Sequence, residues 1–271
     1  MPRPFLFTDR SSITLQVEPT DDLANLFYFR THFDDLGLLE AVSRILRPGM
    51  TVLDVGANRG QFSLYAADRI GPEGCIHAFE PSSAAWSRFQ RNLASNPRLA
   101  SRILPNRTAL SNEPGVAKLY QYPENSEWNS LYPHDKWISI EQRNSGVPAI
   151  NPTYVEEVPV TTLEHYCAEA LIDKIDLLKI DVEGFEHAVL RGATAAFEKR
   201  LIRNVVYEIC IDLLDSVGKH AEEVVGILKS FGYETKRIKP SGDLESVSRG
   251  FEFPALANYL ATPAEGHRAA N

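Results

Sequence analysis

A doubly wound α/β fold is what the 271-residue sequence predicts, on three observations. Short apolar runs alternate with helix-length amphipathic stretches from residue 51 onward, the rhythm of crossover units around a mostly parallel sheet. A glycine-bearing turn, Gly56 to Gly60, lies directly between the first such run and the first such stretch. The last two runs, 234–238 and 258–262, have no helical stretch between them, which implies an antiparallel hairpin at one sheet edge.

Residues 1–48 read as an N-terminal strand and helix extension packed on the core. Within it, 13–17 alternates like a short strand, and 34–46 carries a helical apolar stripe (Leu36, Leu39, Val42, Ile45, Leu46) stopped by Pro48-Gly49. The α/β domain spans 49–263. Strands are predicted at 51–55, 75–80, 101–104, 116–120, 157–160, 175–180, 204–209, 234–238 and 258–262, and helices at 61–69, 82–96, 162–170, 185–199 and 222–231. Trp86, Phe89, Gln90 and Leu93 recur at helical spacing and read as a core face. Residues 121–156 are rich in Asn, Ser and Pro, yet hold Tyr122, Trp128, Tyr132, Trp137 and Tyr154. A long loop with that many large aromatics is either a substrate lid or a contact between copies in a homo-oligomer. Residues 264–271 read as a flexible tail.

Composition excludes several classes. A net charge of −8 with no Lys/Arg-rich run argues against nucleic acid as partner, because phosphate neutralisation supplies most of that affinity. Cys75, Cys167 and Cys210 lie far apart without a C-x-x-C pair, so they read as buried thiols, neither a disulfide framework nor zinc ligands. No apolar run approaches the ~20 residues of a membrane span, and the first ten residues gain charge too early for a secretory signal. A reducing cytoplasm is the expected setting.

The segment Leu53-Asp54-Val55-Gly56-Ala57-Asn58-Arg59-Gly60-Gln61-Phe62 ends a strand and opens a helix. Glycine lets backbone approach a ligand, and Asn58 is a second-best residue for the left-handed region. A dinucleotide site asks for G-x-G-x-x-G, with pyrophosphate at the helix N-terminus. Here an acidic residue stands two places before the first glycine; it would repel phosphate but could orient a cationic amino-acid group. That favours S-adenosylmethionine over NAD as cofactor. Glu80, at the end of the next strand and 20 positions after Gly60, can accept both ribose hydroxyl hydrogens.

These residues resemble the FkbM family of S-adenosylmethionine-dependent methyltransferases. The matching blocks are LDVGANRGQFS at 53–63, FEP at 79–81, TALSNEPG at 108–115, VPVTTL at 158–163, IDLLKIDVEGFEHAVLRGA at 175–193, VVYEI at 205–209 and NYLATP at 258–263. The resemblance implies a Rossmann-like methyltransferase fold with a seven-stranded sheet, and O-methylation of a hydroxyl on a sugar, polyketide or other secondary metabolite. It implies that Asp54, Gly56, Asn58 and Gly60 shape the methionine end of the pocket, that Glu80 holds the ribose, and that Thr108 and Ala109 lie near adenine.

A hydroxyl acceptor has a high pKa, so a base or a metal must assist as the methyl moves. Asp181, at the carboxyl end of an apolar strand on the cofactor side, is the first candidate, for both cofactor and acceptor. Glu183 and Glu186 stand three apart in the next helix's first turn, where Glu186 reads as a complement to the helix dipole. Glu208 ends the following strand. Asp181 and Glu208 could share a hard divalent cation such as Mg²⁺, but with no further ligand evident a metal-free site is expected. His187 reads as a solvated helix residue. Trp128, Tyr132 and Trp137 are the candidates to pack on a small-molecule acceptor. An amine acceptor, a glycan acceptor, or binding of the cofactor without turnover are the alternatives.

Overall fold

Thr51–Val55 forms the strand (β3) from which the main sheet grows in both directions. It pairs in parallel with Cys75–Phe79 (β4) on one side and Leu177–Ile180 (β9) on the other. Val52, Leu53 and Val55 are buried, as an apolar run covered on both faces requires. Beyond β4 lies Ile103–Asn106 (β5), and beyond β9 lies Val205–Cys210 (β10), both parallel to their neighbours. The chain runs outward through β4 and β5 before returning to β9, so strand order reverses between β3 and β9. Open α/β sheets bind ligands beyond the strand ends at such a reversal. The computed structural model describes residues 5–8, 12–17, 36–122, 129–133 and 154–264.

The antiparallel hairpin is present: Tyr233–Ile238 (β11) pairs with Leu256–Pro263 (β13). It is not the sheet's edge, however. β13 inserts between β10 and β11, and a further strand, Leu244–Ser246 (β12), closes that side. The main sheet therefore has eight strands, in the order β12-β11-β13-β10-β9-β3-β4-β5, where the resemblance implied seven. Leu-Glu-Ser is too short and too polar to register as an apolar run.

The strands expected at 116–120 and 157–160 lie outside the main sheet. Ala109–Leu110 (β6), Gly115–Gln121 (β7) and Tyr154–Thr161 (β8) form a separate three-stranded sheet in the order β6-β8-β7. Its inward face is a small core of Ala109, Leu119, Val158 and Val160. Alternation identifies a strand but not the sheet it joins.

Helices cover both faces of the main sheet. Gln61–Ile70 (α2) and Ser83–Ser95 (α3) follow Leu36–Ser43 (α1), and a short turn of helix, Pro97–Ala100 (α4), leads into β5. Phe89 on α3 is fully buried, with Trp86 edge-on at 6.2 Å. Later come Leu163–Glu169 (α5), Glu186–Arg191 (α6), Thr194–Glu198 (α7), Ile211–Ser216 (α8) and Ala221–Ser230 (α9). The single helix expected over 185–199 is thus two. They divide at Gly192, which lies so close to the next layer that a Cβ would stand 1.9 Å from the Ser111 carbonyl oxygen.

Phe5–Thr8 (β1) and Thr14–Val17 (β2) form an antiparallel ribbon, and Ile13 and Leu15 are buried in the core. Asn92 of α3 and Asn96, which caps that helix, hold β2 by its backbone. Asn96 accepts from the Thr14 N–H at 2.8 Å and donates to its carbonyl at 2.6 Å, while Asn92 accepts from the Gln16 N–H at 2.8 Å. All three cysteines are free, but only Cys167 is fully buried. Among the described residues no helix is long and apolar enough to cross a membrane.

Candidate active site

At the carboxyl ends of β3, β4 and β9 a crevice of about 680 Å³, counting its open mouth, is roofed by the small sheet. Gly56, Asn58, Glu80, Thr108, Ala109, Asp181 and Glu183 line it together with the apolar Val55, Phe79, Leu110 and Leu119.

The turn after β3 is built from left-handed residues: Gly56 at φ 79°, Asn58 at φ 48° and Gly60 at φ 80°. The N–H groups of Gly56 and Ala57 both donate to the Phe79 carbonyl, at 3.0 and 2.9 Å, which bends the chain toward β4. A Cβ on Gly56 would lie 1.8 Å from the Asp181 carbonyl oxygen, so a bare backbone is what lets the exits of β3 and β9 pass. Gly60 has a different reason. A Cβ there would lie 2.2 Å from the Phe89 ring, and Gly60 stands outside the crevice lining.

Glu80 is buried at the crevice wall. Its carboxylate accepts the backbone N–H of Asn58 through Oε2 and of Ser82 through Oε1, each at 2.8 Å. Burial pushes its pKa up to about 7, outweighing those hydrogen bonds and the Lys179 charge.

Asp54 lies behind the floor, fully buried, accepting the Ser63 hydroxyl at 2.6 Å. Across the β3–β9 pair its partner is Lys179. The buried Lys179 ammonium donates to the Gly56 carbonyl at 3.0 Å and forms ion pairs with Asp181 at 3.2 Å and Asp54 at 3.3 Å. The Asp54 contact is ionic only, since that carboxylate oxygen has no partner in hydrogen-bond geometry. Burial alone would depress the Lys179 pKa, but the Asp181 and Asp54 carboxylates together outweigh it and the net shift is upward.

The loop carrying Asp181 is a second left-handed turn, with Glu183 at φ 53° and Gly184 at φ 91°. Glu186 is the first residue of α6, where an acid complements the helix dipole. It is buried, its pKa pushed up to about 7 by that burial, and its Oε1 accepts the N–H groups of Val182 at 3.1 Å and Gly184 at 3.2 Å. The Ser130 hydroxyl donates to the Glu183 carbonyl at 2.9 Å, tying the loop to the roof. Glu208 stands outside the lining, yet one carboxylate oxygen each from Asp181, Glu183 and Glu208 lie within 4.8 Å of one another.

Of the aromatic candidates, Tyr132 packs on Phe185 at 4.8 Å and stacks on His187 at 6.3 Å, beside the crevice and not in its lining. His187 is buried, which corrects its reading as a solvated residue. Trp128 and Trp137 lie outside the described residues.

Three contributors escaped the sequence reading. Lys179 carried a signal, a charge inside the otherwise apolar Leu177–Ile180 strand. Ser130 and Gln121 carried none. Gln121 accepts the Ser82 hydroxyl at 3.1 Å and donates to Glu156 at 2.6 Å, and Glu156 accepts the Ser83 N–H at 3.0 Å and pairs with Arg107 at 2.5 Å. This chain fastens the roof to the start of α3.

Comparison with known proteins gives the same region a family. Residues 54–235 match the model of the methyltransferase FkbM domain. The chain is 35% identical over 202 residues to 31-O-demethyl-FK506 methyltransferase FkbM of Streptomyces tacrolimicus, covering 69% of this chain and 74% of that protein. It is 33% identical over 193 residues to Methyltransferase 1 of Beauveria bassiana, covering 70% and 74%.

Proposed function

The chain belongs to the FkbM family of methyltransferases, and on that premise we propose that its crevice binds S-adenosylmethionine and directs the methyl to a hydroxyl of a sugar, polyketide or other secondary metabolite. The observation that carries this reading is the joining of the Gly56–Gly60 turn to the buried Glu80 carboxylate at one crevice wall.

The residues present suit such a donor. Glu80 keeps its carboxylate at the wall for ribose hydroxyls, and Phe79, Leu110 and Val55 offer apolar surface for a base, with Thr108 and Ala109 beside them. Asp54 and Gly60 act from behind, by shaping the turn. When bound, the donor supplies a methyl group on a sulfonium.

Asp181 and Glu183 line the crevice as well. Either carboxylate can take the proton of an acceptor hydroxyl as its oxygen is methylated. Holding that hydroxyl in line is the larger task, and positioning of this kind supplies several kcal/mol. The buried Glu186 and the Ser130 bond keep the loop in place for it. Trp128 and Trp137 are assigned to the acceptor on sequence grounds, with Tyr132 next to the acidic loop. The domain is taken as 49–263, the small-molecule acceptor as its partner and the cytoplasm as its setting.

The grouping of Asp181, Glu183 and Glu208 favours a second reading, because three carboxylates form a donor set for a hard divalent cation such as Mg²⁺. Incubation with methyl-labelled S-adenosylmethionine and paired hydroxyl and amine acceptors tests the proposal. Label recovered as a methyl ether, in protein treated with chelator, is the expected result. Label only in amines would redirect the reading to nitrogen. Turnover lost on chelation and restored by Mg²⁺ would favour the cation over the carboxylate base.

A further inference from the structure

Lys179 is a buried ammonium that the reaction as proposed does not use. Three oxygens surround it, from Gly56, Asp54 and Asp181, and the Phe62 ring lies 5.8 Å away. Its upward-shifted pKa and its pairing exclude it as a base. Two of its oxygens belong to crevice-lining residues, Gly56 and Asp181. The third, on Asp54, sits on the adjoining strand one pleat behind Gly56.

We propose that Lys179 is a positioning residue of the donor site: it clamps Gly56, Asp54 and Asp181 into one unit and offsets the negative charge that a sulfonium meets there. This rests on the reading of the crevice as a site for S-adenosylmethionine. The donor and its product differ by one charge, since S-adenosylmethionine carries a sulfonium where S-adenosylhomocysteine has a neutral thioether. A cation fixed between two carboxylates at the floor therefore bears on the first ligand more than on the second. Removing it exposes the carboxylates and favours the sulfonium over the thioether. Loss of packing alone would weaken both ligands without changing their ratio.

The test is calorimetric titration of the full chain with each ligand. Lys179→Met should raise the ratio of the S-adenosylhomocysteine Kd to the S-adenosylmethionine Kd by about tenfold. Lys179→Met combined with Asp54→Asn removes one charge of each sign and should bring the ratio back to within about twofold of wild type. Taking away one partner of a buried ion pair is strongly destabilising, so Lys179→Met alone could fail to fold. In that event Asp54→Asn is compared with the double variant, and adding Lys179→Met must again raise the ratio. An unchanged ratio in folded variants overturns the role of Lys179 and leaves the donor site standing. Wild-type protein that binds neither ligand overturns the donor site itself.

Discussion

The Glu80 carboxylate and the Asn58 N–H meet at 2.8 Å, across 22 residues of sequence. One end of β4 and the turn after β3 are thereby a single rigid piece, and the Asn58 N–H stands in the left-handed conformation that aims it there. What binds against Glu80 must also answer to the shape of the turn.

Glu80 makes the free protein's stability depend on pH. Its folded pKa of about 7 lies above its ordinary 4.5. Between those values the native state holds a proton that the unfolded chain has released, so stability falls as pH rises through the window and levels off above it. Glu80→Gln should remove that slope, though its single amide oxygen can serve only one of the Asn58 and Ser82 N–H groups. Thermal melts from pH 4 to 8 measure it. Ribose hydroxyls favour the ionised form, so wild-type affinity for S-adenosylhomocysteine should strengthen as pH rises through about 7, and Glu80→Gln should weaken binding at least tenfold.

The two glycines of the turn should fail for different reasons. Gly56→Ala meets the Asp181 backbone at 1.8 Å and has a left-handed φ of 79°. No side chain there can move aside, so the variant should lose ligand binding even where it folds. Gly60→Ala meets a side chain, the Phe89 ring, at 2.2 Å. Pairing it with Phe89→Leu should recover part of the melting temperature, whereas no side-chain truncation should rescue Gly56→Ala.

Glu186 is the second buried acid with a raised pKa, and its work is mechanical. Glu186→Gln keeps an amide oxygen for the Val182 and Gly184 N–H groups and should be well tolerated. Glu186→Ala leaves both donors without their acceptor, at a cost of about 1–3 kcal/mol each where they stay dry. Its signature should be a lower melting temperature and a raised acceptor KM, with the loop no longer held at Glu183.

Asp181→Asn and Glu183→Gln separate the two candidate bases. The true base should lose about 10²–10⁴-fold in kcat on substitution, with KM for the acceptor little changed. The other should show mainly a KM effect. Rates with a fixed hydroxyl acceptor decide between them.

Much of this site was legible because its residues break local rules. Gly56, Asn58 and Gly60 announce positive φ, and Glu80 is a charge at the end of an apolar run. Asp181 reads the same way. Lys179 was equally out of place in a buried strand and could have been noticed, since a fully buried lysine requires oxygen partners. The burial of Glu186 and His187 was not legible, because a polar residue in a helix's first turn looks alike whether it faces water or a loop. Placement of β7 and β8 in their own sheet depends on contacts between distant segments, and alternating side chains say nothing of partners. The short β12 is set by hydrogen bonding to β11, not by its own composition. Gly60 was legible as a glycine but not for its cause, the ring of Phe89 one helix away.

A crystal structure of the protein with S-adenosylhomocysteine bound tests the central claim most directly. The ribose hydroxyls should be found on the Glu80 carboxylate, the amino-acid end against the Gly56 turn, and the sulfur facing Asp181 and Glu183. A ligand bound elsewhere, with Glu80 still held only by Asn58 and Ser82, would contradict it.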